Sequence, residues 1–483
     1  MRIGLKYLLA IVCLGIVCPA FANVHVTGKV TCAGRGVADV VVTDGTASVA
    51  TDASGCYALN AVDDAHFIYI STPAGYLPPA DGVYPRFYIP FSKDKAVYDF
   101  TVTRNPKDDN HQLVIVQADV QAAYKKDLET YKSLVADCRD LVSRNYSDRD
   151  AFSLDLGDLV EVGSGLMPIY DRNVQPIAMP VYHAVGNHDM DFWGRSHETS
   201  YSTFEAAFGP QHYSFNRGKI HYIVIDNCFY IGRGIFYIGY VDEATFRWLD
   251  SDLAFVPAGS TVILSMHIPS QLTEKERDFV YEGGPISDET VNAAHLHELL
   301  KPYKAHIFTG HMHYNLNICF SDSLMEHNTA AVCGTWWTTD VCLDGTPRGY
   351  GVYEIDGDNI KWYYKSSGYP RSHQMRLYNV GESKDFPDCV VANVWNYDKH
   401  WRVEWLENGK VMGEMTKFTG YDPYASALCA DRSIVKYDWI SPFTTEHLFR
   451  AVPTNPKAKI EVRVTDRFGN VYQDVVPAVK AKK

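Results

Sequence analysis

The chain contains five short clusters of side chains that can bind metal ions. In order, they are Asp119-Val120-Gln121, Gly157-Asp158, Gly186-Asn187-His188-Asp189, His267 and Gly310-His311-Met312-His313. Carboxylate, amide and imidazole groups suit two neighbouring divalent cations that share a bridging carboxylate. A water or hydroxide held between two such cations becomes a nucleophile near neutral pH. The ordered set therefore predicts a binuclear hydrolytic centre.

Each cluster directly follows an apolar run that is typical of a buried strand. The runs cover residues 113–116, 152–156, 181–185, 262–266 and 306–308. Ligands of α/β proteins bind at the carboxyl ends of the strands in the sheet. We therefore expect these five distant segments to converge on one crevice.

The 483 residues are too many for one core, and the pattern changes twice along the chain. Residues 23–107 alternate between β-branched or aromatic residues and turn signals, which favours a small β-sandwich. Residues 108–368 alternate strands with helical spacing and carry all five clusters, which favours a layered α/β domain with two packed sheets. Residues 369–483 return to a β pattern with a hairpin signal at Asn408-Gly409, which predicts a second sandwich.

The middle region resembles the calcineurin-like metallophosphoesterases. That family's pattern runs Asp-x-His, Gly-Asp, Gly-Asn-His-Asp/Glu, His and Gly-His-x-His, and four of these five elements are intact here. The resemblance implies an α/β four-layer sandwich in which two packed mixed sheets are flanked by helices. It also implies hydrolysis of phosphate esters by in-line attack of a metal-bound hydroxide on phosphorus.

Carried over position by position, the resemblance implies two overlapping ligand sets. One metal would be held by Asp119, Asp158 and His313, and the other by Asp158, Asn187, His267 and His311. Asp158 would bridge the two ions. His188 would protonate the leaving oxygen or stabilise the transition state, and Asp189 would orient or charge its ring.

Gln121 stands where the family usually has a histidine. An amide oxygen is a weaker and neutral ligand, so either the first metal binds less tightly or Gln121 only positions water. Manganese, iron and zinc all suit oxygen and nitrogen donors without thiolate. Trp336 and Trp337 follow the last cluster and are expected to wall a substrate cleft, with core packing as the alternative.

The flanking regions also resemble known modules. The segments Gly28-Lys29-Val30, 36–42 and 52–57 resemble the transthyretin-like or carboxypeptidase regulatory-like repeat, with a generic sandwich as the alternative. With segments 418–423 and 464–470, the whole chain resembles exported bacterial three-part proteins that carry a phosphoesterase between two β domains.

Residues 1–22 have the features of a signal peptide. Arg2 and Lys6 precede a short apolar run, and Ala20-Phe21-Ala22 fits a cleavage site. We expect an exported protein, periplasmic or extracellular, with lipid attachment at Cys18 less favoured and no transmembrane segment in the mature chain. A bridge between Cys32 and Cys56 stays open as a possibility.

The formal net charge of −13 would repel polyanions, so nucleic acid is not expected as a partner. The leading hypothesis is an exported hydrolase of small phosphate monoesters or diesters. A second hypothesis is a catalytically weak or inactive scaffold of the cell envelope on the same fold. A third assigns the flanking sandwiches to envelope glycan and the middle domain to the hydrolysis.

Overall fold

A computed structural model describes residues 23–275, 286–435, 437–455 and 457–477. The expected signal peptide, residues 1–22, lies outside this part of the chain. In the described residues, β-strands outnumber helices and form three successive groups of sheets.

The first group forms an N-terminal β domain. Its strands are β1 (Val24–Cys32), β2 (Arg35–Gly36), β3 (Val41–Thr43), β4 (Ser48–Ala50), β5 (Cys56–Ala61), β6 (Phe67–Ser71), β7 (Tyr76–Leu77), β8 (Ala80–Asp81), β9 (Tyr84–Pro85), β10 (Tyr88–Pro90), β11 (Phe100–Thr101) and β12 (Thr103–Arg104). One sheet contains β11, β1, β2 and β5, and the other has the order β10-β6-β3-β4.

The N-terminal domain shares its core with the middle of the chain. Strand β5 alternates exposed and buried residues, as expected for a strand with one solvent face, whereas β6 is buried along its whole length. The second face of β6 is covered because Thr72 forms a β-bridge with Phe215, and the cluster that contains Ile68 also contains Tyr213. The domain is therefore packed against the middle domain.

The second group forms the middle domain, which carries the candidate ligands. Its strands are β13 (His111–Gln117), β14 (Asp150–Asp155), β15 (Val181–His183), β16 (Tyr213–Arg217), β17 (Ile220–Val224), β18 (Cys228–Gly232), β19 (Phe236–Gly239), β20 (Thr261–Ser265), β21 (Lys304–Thr309), β22 (Leu316–Cys319), β23 (Leu324–Asn328), β24 (Gly349–Asp356) and β25 (Asn359–Ser366). Its helices are α1 (Lys125–Asn145), α2 (Met167–Val174), α3 (Ser202–Phe208), α4 (Glu243–Leu253) and α5 (Ala293–Leu300), with 3₁₀ turns at Gln175–Ile177, Asn187–Asp189 and His197–Thr199.

Two mixed sheets pack face to face between two layers of helices. The first has the order β15-β14-β13-β24-β25 and the second has the order β16-β17-β20-β21-β23-β22. Phe152 and Ile263 belong to the core between the sheets, Leu113 packs with α1 and α2, and Val262 packs with α4 and α5. The four-layer α/β sandwich expected from the sequence is confirmed.

Successive residues of β13 and β20 point to opposite sides, and both sides are buried, so these strands read as continuous apolar runs. The observed strands match the five predicted ones to within a few residues. Strands β14 and β15 end earlier than expected, at Asp155 and His183. After β14, Gly157 turns the chain at φ +97° and lies next to Gly186.

The third group forms a C-terminal β domain. It contains β26 (Arg376–Tyr378), β27 (Val390–Asn393), β28 (Arg402–Glu407), β29 (Lys410–Glu414), β30 (Thr416–Tyr421), β31 (Thr444–Ala451), β32 (Ile460–Thr465), β33 (Val471–Val475) and helix α6 (Pro423–Ala430). Sheets β26-β27-β31-β30 and β29-β28-β32-β33 share one apolar core. Asn408 and Gly409 have φ values of +48° and +80°, as a two-residue hairpin turn requires.

All nine cysteines of the described residues are free thiols, so Cys32 and Cys56 do not form the bridge that the sequence left open. No helix in the described part of the chain is long and apolar enough to cross a membrane.

Candidate metal centre

The five clusters lie at the carboxyl ends of β13, β14, β15, β20 and β21 and meet between the two sheets. Backbone hydrogen bonds join the loops that carry them. The N–H groups of Asp119 and Gln121 donate to the carbonyls of Gly157 and Asp158, and the N–H of Gly310 donates to the carbonyl of His267. The N–H of His188 donates to Oδ1 of Asp158 and the N–H of His311 donates to the carboxylate of Asp119, so the five loops form one connected unit.

Five of the predicted metal ligands have left-handed backbones, a conformation that residues with side chains rarely adopt. They are Asp119, Gln121, Asp158, His311 and His313, with φ between +34° and +70°. Each such residue costs about 1–3 kcal/mol and persists only where the surrounding structure holds it. The concentration of this strain at one place marks it as a functional site.

Several donor atoms surround the Nε2 atom of His267. The Oδ1 of Asn187 and the Nδ1 of His311 both lie 3.1 Å from it, and the Oδ2 of Asp158 lies 3.3 Å from it. Ligands roughly 2.1 Å from one cation are separated by about 3.0–3.4 Å in octahedral or tetrahedral arrangements. The donor spacing therefore suits one ion.

The tautomer of His267 also suits metal binding. Its Nδ1 lies 2.8 Å from the carbonyl oxygen of Leu156, a contact in which the Nδ1–H donates. Metal-binding histidines usually make such a bond with their other ring nitrogen, which fixes the ring and leaves the lone pair of Nε2 for the ion.

A second group of donors lies beside the first. The Nε2 of His313 is 3.6 Å from Oδ1 of Asp119, and Asp119 is fully buried. The carboxylate of Asp119 also accepts the backbone N–H of His311. These contacts connect the two predicted ligand sets, which share Asp158.

Gln121 lies in the same cavity, with its Nε2 2.9 Å from Nε2 of His188 and 3.4 Å from Oε2 of Glu161. Its Oε1 is buried and has no hydrogen-bond partner among the described residues. A buried amide oxygen without a partner is costly unless a cation or water satisfies it. The residues present therefore fit divalent cations: Asp158, His267 and His311 each offer a donor within 4.8 Å of the others, beside this unpaired oxygen.

The ionisable groups of the site depend strongly on each other. Burial raises the pKa of Asp119 to about 7. Burial would also raise the pKa of Asp158, but the positive charges of His267 and His188 outweigh burial and hold this pKa below its usual range. Burial would lower the pKa of His267, yet the carboxylate of Asp158 raises it to about 9. The buried carboxylates thus require nearby positive charge, which bound cations would supply.

His188 lies at the rim of the cavity, as predicted. Its side chain is 23% exposed, whereas that of Asp158 is 3% exposed. Its Nδ1 lies 2.9 Å from Oε1 of Glu161, and its Nε2 lies 4.0 Å from Oδ2 of Asp158. Burial would lower the pKa of His188, but Asp158 and Glu161 together raise it to about 9.

Of the two roles predicted for Asp189, orienting the His188 ring requires correction, whereas its charge does help to raise the pKa of His188. The Asp189 carboxylate accepts the backbone N–H groups of Gly186, Asp158 and Leu159 at 2.7–2.9 Å. It therefore stabilises the loops that contain Asp158 and Gly186. Glu161 holds the His188 ring instead. Sequence reasoning missed Glu161, because its contact with His188 joins distant segments and no motif marks it.

Gly186 is a close contact point between two of the loops. A Cβ at this position would lie 2.1 Å from the backbone nitrogen of Asp158 and 2.3 Å from its Oδ1, although φ of Gly186 is an ordinary −104°. We expect Gly186→Ala to displace Asp158 and to lower the affinity for metal ions by about 10- to 100-fold, the range found when the support of a ligand is lost. Titration with manganese, followed by calorimetry, measures this change.

Gly234→Ala is the matched control, because nothing lies within 4 Å of the Cβ it would add. Equal metal affinity in the Gly186→Ala and Gly234→Ala variants would contradict the assigned contact.

Trp336 and Trp337 line a cleft of 820 Å³ that opens beside His188 and Gln121. The Trp336 ring stacks on the ring of His313 at 4.5 Å, and the indole N–H of Trp337 donates to the carbonyl of Val120. The remaining wall includes Tyr124 and three residues from the C-terminal region, Ile434, Tyr437 and Trp439. No motif pointed to these three, which lie about 100 residues after the tryptophan pair.

Comparison with protein families places the chain among the metal-dependent phosphoesterases. Three family models match the chain: the N terminal of calcineurin-like phosphoesterase at residues 24–105, calcineurin-like phosphoesterase at 113–315 and the C terminal of calcineurin-like phosphoesterase at 326–472. The chain belongs to the calcineurin-like phosphoesterases, in a three-part arrangement with both flanking regions.

Similar solved structures include a dimetal phosphatase from Danio rerio, 14% identical with a TM-score of 0.39, which covers 53% of this chain and 96% of its own. A purple acid phosphatase from yellow lupin (Lupinus luteus) seeds is 16% identical with a TM-score of 0.37, and the match covers 53% of this chain and 52% of that one. Similarity this low transfers neither substrate nor ligand set. No curated protein matches the chain in sequence.

Proposed function

We propose that this protein is an exported hydrolase of phosphate monoesters or diesters that uses two divalent ions. The observation that carries the proposal is the convergence of seven donor residues from five strand ends on one buried cavity with an open cleft beside it. The donors are Asp119, Gln121, Asp158, Asn187, His267, His311 and His313.

When bound, the metal ions would activate a water and neutralise charge on the phosphoryl oxygens. The chain's own residues hold and orient the reacting groups. Asp158 would bridge the ions, and the backbone N–H of His188 donates to Oδ1 of Asp158 at 2.7 Å, which fixes that carboxylate. Glu161 holds the His188 ring by Nδ1. Nε2, which lies 2.9 Å from the Gln121 amide nitrogen, would deliver a proton to a leaving oxygen that replaces this amide beside it.

We expect His188→Ala to keep two metal ions per chain and to lose about 100-fold in turnover, since a positioned proton donor contributes about 10²–10⁴-fold. The assay pairs 4-nitrophenyl phosphate with bis(4-nitrophenyl) phosphate and includes metal analysis of each preparation. The ratio of the two rates also decides between monoester and diester preference.

His25→Ala is the matched control, because this exposed histidine lies on β1, in the N-terminal domain. Unchanged turnover in His188→Ala would remove this residue from the reaction. A wild-type protein that purifies without metal and stays inert with added manganese would instead support the scaffold hypothesis.

Export is part of this proposal and is supported by the signal-like residues 1–22. Cell fractionation of the full-length chain, with determination of the amino terminus, tests it. A mature chain that begins near Asn23 outside the cytoplasm is expected, and an intact Met1 in the cytoplasm would contradict it.

A further inference from the structure

A series of aromatic rings leads from the metal centre to the surface. The Trp336 ring stacks on His313 and contacts the Trp439 ring edge to face, with 4.6 Å between centroids. The Trp439 ring in turn stacks with Tyr437 at 5.6 Å. Three aromatic residues thus extend from a predicted metal ligand along one wall of the cleft.

Both ends of this wall are held in place. Trp336 and Trp337 have left-handed backbones, with φ of +44° and +60°, which the fold must hold against their preference. The segment with Tyr437 and Trp439 is anchored by Val435 and Ile440, which are buried in a small apolar cluster. Val435 and Ile440 thus tie the chain on either side of Tyr437 and Trp439 to a buried cluster.

Trp439 is nevertheless 61% exposed. Exposed tryptophan rings in a cleft are typical of a surface that a ligand covers, because a ring face gives a large contact area at little entropic cost. Its neighbour Tyr124 is also exposed, at 56%, and lines the same cleft.

Several polar groups of the cleft, though not the Oε1 of Gln121, already have partners in the protein. Asp127 accepts the backbone N–H groups of Ala123 and Tyr124, and the Thr338 hydroxyl donates to the carbonyl of Thr335. Glu161 is held by His188. A sugar or polyol would need free hydrogen-bonding groups, whereas a flat apolar ring needs only the ring faces that remain.

We propose that the alcohol part of the natural phosphate ester carries a flat aromatic ring that stacks on the exposed ring of Trp439. This inference rests on the proposed function for the phosphoryl end of the substrate, and it adds the chemical class of the leaving group. A nucleoside and an aryl alcohol share the required ring. Lys126 also lines the cleft and would offer one cation to a further phosphate or hydroxyl of the substrate.

Two measurements on the full chain with manganese test the proposal. The first is calorimetric binding of adenosine, which has the ring and no phosphate, with ribose as the ringless comparison. The second is KM for adenosine 5′-monophosphate, phenyl phosphate and glycerol 3-phosphate. Each is made on wild type, Trp439→Ala, Trp439→Phe and the control Phe255→Ala, an exposed ring that lies outside the cleft.

We expect Trp439→Ala to weaken adenosine binding and to raise KM for both ring-bearing esters by about tenfold, within the range for loss of one stacking partner. Trp439→Phe should keep most of the wild-type binding and KM. Phe255→Ala should change neither quantity, and Trp439→Ala should leave KM for glycerol 3-phosphate unchanged. A preference between the nucleotide and the aryl ester identifies the source of the ring.

Equal effects of Trp439→Ala on all three esters, or tryptophan-dependent binding of ribose, would overturn the proposal in favour of a general or sugar-binding wall. If the wild type hydrolyses no ester, the proposed function fails. The comparison of adenosine binding in wild type and Trp439→Ala still shows whether Trp439 stacks on an aromatic ring.

Discussion

Asp158→Asn is expected to lower turnover by about 10³-fold or more and to reduce the bound metal from two ions per chain to one or none. Asp158 is buried, its Oδ2 lies 3.3 Å from Nε2 of His267, and its Oδ1 accepts the N–H of His188. Asparagine keeps this backbone contact but removes the charge that two cations would share. Because metal ions contribute several kcal/mol to charge stabilisation, and about 1.4 kcal/mol is tenfold in rate, the loss should reach this size.

Metal analysis and steady-state kinetics at saturating manganese measure both parts of this result. Asp94→Asn makes the same chemical change at an exposed position of the N-terminal domain and should leave both quantities unchanged. An Asp158→Asn protein that holds two ions at wild-type affinity would show that this carboxylate does not bridge them. We expect Asp158→Asn to fold, since asparagine retains the acceptor for the N–H of His188, and circular dichroism checks this.

The sequence predicted the fold and the loops of the site because local patterns carry that information. The apolar run of β13 and the polar residues that follow it are adjacent in the chain, and strand ends in an α/β sheet converge for topological reasons. The hairpin at Asn408-Gly409 was predictable for the same reason, because its left-handed backbone favours these two residue types.

The features that the sequence could not supply depend on contacts between distant segments. Asp189 follows His188 directly, yet the turn at Asn187–Asp189 directs its carboxylate to the backbone of Asp158 and Leu159. Glu161 reaches His188 because its N–H donates to the carbonyl of Ala122, which positions it opposite Gln121. Likewise, Trp439 lines the cleft only because the C-terminal domain packs against the loop with Trp336.

That packing depends on a buried polar network between the middle and C-terminal domains. Asp344 accepts hydrogen bonds from the N–H groups of Asn315 and Thr346 and from the Thr346 hydroxyl, and its Oδ2 lies 3.0 Å from Nε2 of His447. The amide of Asn393 donates to the carbonyl of Asp344. Asp344 is fully buried, so the groups of Asn315, Thr346 and His447 would lose a buried partner if its carboxylate were removed.

Asp344→Ala is therefore expected to lower the free energy of unfolding by about 3–5 kcal/mol, the cost of removing one partner from a buried charged contact. Urea unfolding followed by tryptophan fluorescence measures it. Glu446→Ala removes an exposed ion pair with Lys417 and should change the free energy by no more than about 1 kcal/mol. Asp344→Asn, which keeps an acceptor, should lie between the two.

If Asp344→Ala and Glu446→Ala are equally stable, the network adds no measurable stability between the two domains. The expected loss of about 3–5 kcal/mol in Asp344→Ala would instead show that the network holds the two domains together. Asp344 follows Trp336 and Trp337 in one connected loop, and strands β27 and β31 hold that loop through Asn393 and His447. Deletion of the C-terminal domain should then disturb the cleft wall itself, so a lower activity of the truncated chain would reflect a damaged substrate site rather than lost attachment to an envelope glycan.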